Sequence, residues 1–212
     1  MINNTIIENL RIDVFARENL QSLFCAQENV LIFLDLELVY SQHLNDREVA
    51  FGADEKSDLL LTFDSSSTYK IIYLFSSAQT FNVSYEVIGK DVPTIYQFVL
   101  QAENKTQLHC HIDIKKEATL HLYQFLMYKK TNAFSLYNKI SLAKSSNLFL
   151  HNMFALFGDF DYTLQTKLQA ENANVKLQSV NINHQDSKHS LAFIAEHNVG
   201  ETTSEFKAYH IA

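Results

Sequence analysis

Along most of this chain apolar residues recur at every second position. Leu108, Cys110, Ile112 and Ile114 alternate with His109, His111, Asp113 and Lys115, the period of a strand with one face buried and the other in water. The alternation returns at Leu148 and Leu150 and at Val175 and Leu177. Earlier, Leu59 to Phe63 and Tyr69 to Phe75 read as strands joined by a turn at Ser65-Ser66-Ser67. Helical periodicity is weak; its best stretch, Arg17 to Ala26, fits a strand-turn-strand equally well. The pattern predicts an all-β chain.

The alternating segments also repeat. An apolar residue, a short polar corner and two apolar residues one apart occur at Leu100 to Cys110, Ile114 to Leu122, Leu142 to Leu150 and Leu168 to Leu177. With Glu103, Glu117, Ser145 and Glu171 as phase markers, the intervals are 14, 28 and 26 residues. An earlier copy, Phe75 to Val83, keeps the phase through Ala78. A half-period near 14 and a full period near 27 fit a coil of two strands and two corners, stacked at the ~4.8 Å strand spacing. This predicts a parallel β-helix of two-sheet rungs, roughly five of them from residue 70 onward. The competing architecture, an antiparallel sandwich, would ordinarily show Asn-Gly, Asp-Gly or Pro-based hairpin turns, and the sequence has none. The expected organisation is a small mixed, mostly β region over residues 1–68, contributing first rungs at most, and a β-helix over 69–212.

Composition narrows the function. Four glycines and one proline stand where average usage of about 7% and 5% would put about 15 and 10. The glycines lie more than thirty residues apart, so no phosphate-binding glycine loop, dinucleotide turn or nucleophile elbow can be written. Neither H-E-x-x-H nor C-x-x-C occurs, which removes the common zinc spacings. A net charge of −7, with no basic run longer than Lys115-Lys116 or Lys129-Lys130, argues against nucleic acid as a partner. No apolar run approaches the ~20 residues of a membrane helix, and the N-terminus lacks the basic and apolar regions of an export signal. Two cysteines, Cys25 and Cys110, suit a reducing compartment. The expectation is a cytoplasmic protein with no membrane partner.

A more specific likeness lies near the C-terminus. The stretch Ile194-Ala-Glu-His197-Asn-Val-Gly-Glu-Thr202-Thr-Ser204-Glu-Phe-Lys207 resembles the His-x-x-x-x-Thr-x-Ser signature of the SufB/SufD family of iron–sulfur cluster assembly scaffolds. Leu136 to Ile140, Leu142 to Leu150 and Leu168 to Val180 resemble, in order and spacing, the rungs that lead to it. The resemblance covers roughly residues 70 to 212 and implies a right-handed β-helix. It also implies a SufD-like, non-catalytic scaffold that pairs with a SufB-like chain and works with a SufC-like ATPase. An iron–sulfur cluster would be present only in the assembled complex, and no cofactor is expected on this chain alone. In the family, the helical segment that binds the ATPase and the cysteine or histidine used in cluster assembly lie beyond the signature. These 212 residues carry no counterpart.

Taken singly, the candidate residues divide between chemistry and structure. Cys110 sits in the inward phase, where cysteine behaves as a small hydrophobe; its functional reading is a thiolate ligand for iron, helped by His109 and His111. On a strand those imidazoles point away from the sulfur. His109, His111 and Asp113 share the outward face, ~7 Å apart at alternate positions, and could clip a metal or simply be solvated. His121 and His151, beside apolar neighbours, read as structural. Glu196, His197, Thr202 and Ser204 form the signature, either as an interface corner or as a turn whose hydroxyls satisfy backbone groups, with Gly200 supplying positive φ. Cys25 resembles a half-buried corner residue. Asp159 and Asp161 are the one carboxylate pair in a setting suggestive of a carbohydrate-active hydrolase or lyase, with Phe160 and Tyr162 as sugar platforms. A third reading is a purely structural, self-associating β-helix, whose uncovered end would pair as a homodimer.

Overall fold

The computed structural model describes residues 20, 29–42, 49–54, 57–103, 105–128, 133–156, 158–183 and 187–211. The stretch Arg17 to Ala26 lies outside them except for Leu20, and so does Cys25. Among the described residues fifteen strands are formed: β1 (Asn29–Leu34), β2 (Glu37–Gln42), β3 (Val49–Asp54), β4 (Ser57–Phe63), β5 (Thr68–Leu74), β6 (Thr80–Val87), β7 (Thr94–Gln101) and β8 (Thr106–Ile114). They continue with β9 (Thr119–Tyr128), β10 (Phe134–Leu142), β11 (Asn147–Leu156), β12 (Phe160–Leu168), β13 (Asn174–Asn183), β14 (His189–His197) and β15 (Thr203–Ile211). From β4 onward successive strands fall alternately in two sheets. Sheet A has the order β15-β13-β11-β9-β7-β5-β1-β2 and sheet B the order β14-β12-β10-β8-β6-β4-β3. Each strand from β5 to β13 pairs in parallel with the strand two ahead, so the chain winds as a β-solenoid of about five turns. The period of two makes the sheets and the period near 27 stacks them.

Strands β1 to β4 are hydrogen-bonded into the same two sheets. β1 lies parallel to β5 and β4 to β6, while β1–β2 and β3–β4 are antiparallel. The β1–β2 turn is made by Asp35 and Leu36, both at positive φ (47° and 67°). It is a tight hairpin turn without glycine, and the Asp35 carboxylate accepts the Ser76 N–H at 2.8 Å.

The corner leading from sheet B to sheet A carries the repeat. From the β6–β7 corner onward one residue there adopts the left-handed conformation in each turn: Gly89, Glu117, Ser145, Asn172 and Glu201 (φ 82°, 63°, 57°, 59° and 58°). Gly200, the residue expected to supply positive φ at the last corner, does not; its neighbour Glu201 does. After Glu117, Ser145 and Asn172 comes a small, fully buried residue, Ala118, Ser146 or Ala173. The left-handed residue aims its N–H along the stack: Glu117 N donates to Lys144 O (3.0 Å), Ser145 N to Glu171 O (2.9 Å) and Asn172 N to Glu201 O (3.0 Å). A second ladder runs beside it through side chains. Asn147 Nδ2 donates to Thr119 Oγ1 (3.2 Å), Asn174 Nδ2 to Asn147 Oδ1 (3.0 Å) and Thr203 Oγ1 to Asn174 Oδ1 (2.5 Å). Stacked corners thus satisfy their own polar groups, so after Gly89 the corners turn on polar residues without further glycine or proline at the left-handed position.

Inward side chains of both sheets form one continuous core, from Leu31 and Phe33 through Leu108, Cys110, Leu136 and Leu150 to Leu177. A second apolar cluster lies on the other face of sheet A, where Leu20 packs with Val30, Ile32, Ile72, Leu74, Phe98 and Leu100. Among the described residues no helix is long and apolar enough to cross a membrane.

Candidate functional site

Three polar constellations are built on this frame. The first is inside. Register stacks Gln97 on Gln124 through β7 and β9, and Gln124 on Asn152 through β11; all are buried. Gln124 Nε2 donates to Gln97 Oε1 (2.9 Å). Asn138 Nδ2, from the facing sheet, donates to Gln124 Oε1 (2.7 Å) and to the Tyr162 hydroxyl (3.0 Å). Gln97 Nε2 reaches Cys110 Sγ at 3.7 Å, and the hydroxyls of Tyr73 and Tyr85 meet at 2.9 Å. This polar spine escaped the reading of individual residues. The signal for it was present, since Gln97, Gln124 and Asn152 recur at 27 and 28 residues in the inward phase.

Cys110 belongs to this interior. Burial raises its thiol to about 12, outweighing the opposing Gln97 hydrogen bond, so at neutral pH it is a protonated thiol and a poor metal ligand. Burial likewise pushes the phenols of Tyr73, Tyr85 and Tyr162 above their ordinary value. His109 and His111 lie on the opposite face of β8 from Cys110, so the three do not converge. Among the described residues no group of three His, Cys, Asp or Glu side chains is placed to hold a metal. His121 and His151 lie on the outer face of sheet A, stacked on Phe149 (4.7 Å between ring centroids) and Tyr123 (4.8 Å).

The second constellation is a groove of about 710 Å³ on the outer face of sheet B, lined by Leu60, Ser84, Glu86, His111, Lys139 and Lys167, with Asp113 and Ser141 beside them. Register sets the rows. Ser84, His111, Lys139 and Gln165 are consecutive neighbours across β6, β8, β10 and β12, as are Glu86, Asp113, Ser141 and Lys167. Lys115 binds both Asp113 (2.5 Å) and Glu86 (2.9 Å), and these two carboxylates hold its ammonium above the usual lysine value. Glu196 accepts from Gln165 Nε2 (2.5 Å) and pairs with Lys167 (3.2 Å); the Gln165 bond first, then Lys167, keeps its carboxyl below the usual range. His109 sits one row away, edge-on to Tyr137 at 5.6 Å.

The third constellation is the His/Thr/Ser signature. His197 continues the inward column above Leu168, and Ser204 the column above Val175, so polar residues take apolar core positions in the last coil. His197 Nδ1 lies 2.6 Å from Thr202 Oγ1 and Nε2 lies 3.0 Å from Ser204 Oγ. The Thr202 hydroxyl also lies 3.2 Å from Val199 O, and the arrangement that satisfies every donor has Thr202 donate there while accepting from Nδ1–H, with Nε2 accepting the Ser204 hydroxyl. The imidazole ties both ends of the corner together. A serine on an imidazole is also the first unit of nucleophilic catalysis. Here, however, the other ring nitrogen is held by an alcohol rather than a carboxylate, and nothing in the trio would stabilise an imidazolium. Glu196 points to the outer face, into the ion pair with Lys167 and away from the trio.

The aspartate pair is not framed by sugar platforms. Phe160 and Tyr162 are both fully buried in the core, because they occupy the inward phase of β12. Asp159 sits on the corner, where its carboxylate accepts the Lys188 N–H at 2.9 Å, and Asp161 is exposed on sheet B. No protein-family model matches the chain, and no curated protein matches it in sequence.

Proposed function

We propose that this chain is a non-catalytic scaffold of the SufB/SufD type in cytoplasmic iron–sulfur cluster assembly, a SufD-like subunit that pairs through its β-solenoid with a SufB-like chain and works with a SufC-like ATPase. The observation that carries the reading is the signature itself: His197, Thr202 and Ser204 form one hydrogen-bonded unit in a two-sheet parallel solenoid. The outer faces of β14 and β15 suit pairing: Ile194, Tyr209 and Ile211 are exposed there, apolar surface of the kind that marks protein contacts. The cluster enters as cargo of the assembled complex; with its one described cysteine a buried, protonated thiol, this chain would contribute shape and contacts rather than thiolate ligands.

Co-expression with a SufB-like and a SufC-like protein tests the proposal. Retention of the SufB-like chain on the tagged solenoid, lost on replacing Tyr209 and Ile211 by aspartate, is the expected result. Co-purification with neither partner would overturn it.

A further inference from the structure

The buried spine pairs its own polar groups along only part of its length. Gln97 and Gln124 are equally long, so Gln124 Nε2 reaches Gln97 Oε1 at 2.9 Å across one turn. Further along the same inward column the side chains shorten, to Asn152 on β11, Ser179 on β13 and Ala208 on β15. Neighbouring strands stay ~4.8 Å apart, so the shorter groups no longer touch. Among the described residues Asn152 Oδ1, Asn152 Nδ2 and Ser179 Oγ have no hydrogen-bond partner, although Asn152 is only 4% exposed and Ser179 is fully buried. From the facing sheet the Tyr162 hydroxyl accepts Asn138 Nδ2, and no described residue accepts its own proton. Burial is what pushes the Tyr162 phenol up, and the Asn152 amide lies close enough to oppose that shift while staying outside hydrogen-bond geometry. Side chains from β11, β12 and β13 thus bring unpaired donors and acceptors together around Asn152.

Buried amides and hydroxyls left unpaired are costly, and proteins rarely tolerate them. Turning Asn152 onto Tyr162 would still strand Ser179, because Ala208 beyond it offers no polar side chain. The chemistry of the groups limits what they can hold. No charged side chain is buried among the described residues, so an ion here would have no counter-charge, whereas hydroxyls and a carboxamide suit a small neutral molecule that both donates and accepts. Shortening the column from glutamine to serine withdraws more side-chain volume than the ~30 Å³ that one water occupies in the liquid. We propose that the solenoid interior binds an ordered water molecule between Asn152, Ser179 and Tyr162. The water accepts the hydroxyl protons of Ser179 and Tyr162 and donates to Asn152 Oδ1, in keeping with the roughly three bonds a buried water usually makes. It carries the polar spine on from Gln124 to Ser179 and ties β11 and β13 to β12 of the facing sheet. The site lies in the core and is independent of the pairing proposed for the outer faces of β14 and β15.

Oxygen-17 relaxation dispersion on the full chain counts the waters held long enough to tumble with the protein, and a crystal structure of the same chain locates them. Asn152→Leu and Ser179→Val each remove a polar partner and fill its space, so each should lower the count of long-lived waters by one. Lys176→Gln, on the outer face of sheet A, should leave the count unchanged. Unaltered amide spectra away from the site establish that a variant keeps the fold. Crystals of the parent protein should show a density peak about 2.7–3.2 Å from both Ser179 Oγ and Asn152 Oδ1, and they decide the matter even where a substitution prevents folding. The proposal fails if Asn152, Ser179 and Tyr162 prove to be bonded directly to one another with no water between them, or if either interior variant, once shown to be folded, keeps the parent's count.

Discussion

Replacing Asn138 by leucine probes the buried polar spine where it joins the two sheets. Asn138 is fully buried and donates to Gln124 Oε1 and to the Tyr162 hydroxyl. In Asn138→Leu both acceptors stay inside the solenoid without their donor. At about 2 kcal/mol for each buried group left unsatisfied, the loss is about 4 kcal/mol. The leucine's extra apolar burial returns about 2 kcal/mol, so the net cost is about 2 kcal/mol. In a chain of 212 residues this lowers Tm by about 4–8 °C. A second variant separates hydrogen bonding from packing. Gln97→Leu, Gln124→Leu, Asn138→Leu and Tyr162→Phe together remove donors and acceptors at similar volume, and such paired removal is near neutral. Calorimetric melts should therefore place the fourfold variant above the single one, near the parent protein. A single variant as stable as the parent, or a fourfold variant less stable than the single one, would refute the account.

Two further outcomes follow from the corners and the histidines. Ser145 is held at φ 57°, a conformation that costs a side-chain-bearing residue about 1–2 kcal/mol. Ser145→Val should lower Tm, and Ser145→Gly should leave it unchanged or raise it slightly, because the relief is offset by about 0.5–1 kcal/mol of backbone entropy; the reverse order in thermal melts would contradict the assignment. His189 is lowered from its ordinary value chiefly by burial, against an opposing hydrogen bond to Gly158 O, and His121 is lowered by burial and then by His151. Since the unfolded chain takes up those protons first, stability should fall as pH drops through about 6.5 and level off below the folded-state values. Melting curves between pH 8 and pH 5 should show that slope, reduced in His189→Gln, and a flat or rising Tm toward acid would disprove it.

Much of the architecture is written locally. Strand alternation depends only on which residues avoid water, so Leu108, Cys110, Ile112 and Ile114 declare their buried face without knowledge of any neighbour. The repeat near 27 is legible for a related reason: every turn must return the chain to the same corner, and the corner places one residue at positive φ, a glycine at Gly89 and a polar side chain at Glu117, Ser145, Asn172 and Glu201. The precise corner residue was not legible. Gly200 is the obvious candidate in its sequence, yet register with the turn below puts the left-handed conformation on Glu201. In the same way Phe160 and Tyr162 look available beside two aspartates until their phase in β12 turns both into the core.

What only the tertiary structure decided are relations across turns. Gln97 and Gln124 are each an awkward polar residue in an apolar phase; they become partners because the stack sets them one above the other and the facing sheet adds Asn138. Lys139, Asp113 and Glu86 are ordinary solvated charges along the chain. Only the lateral register shows that Lys115 bridges Asp113 and Glu86 and that Lys167 takes up Glu196. Burial by periodicity is a property of one strand, whereas hydrogen-bond satisfaction and charge balance belong to side chains brought together from several strands. The chain alone determined a two-sheet solenoid with polar corners, and the stacking determined where its chemistry can lie.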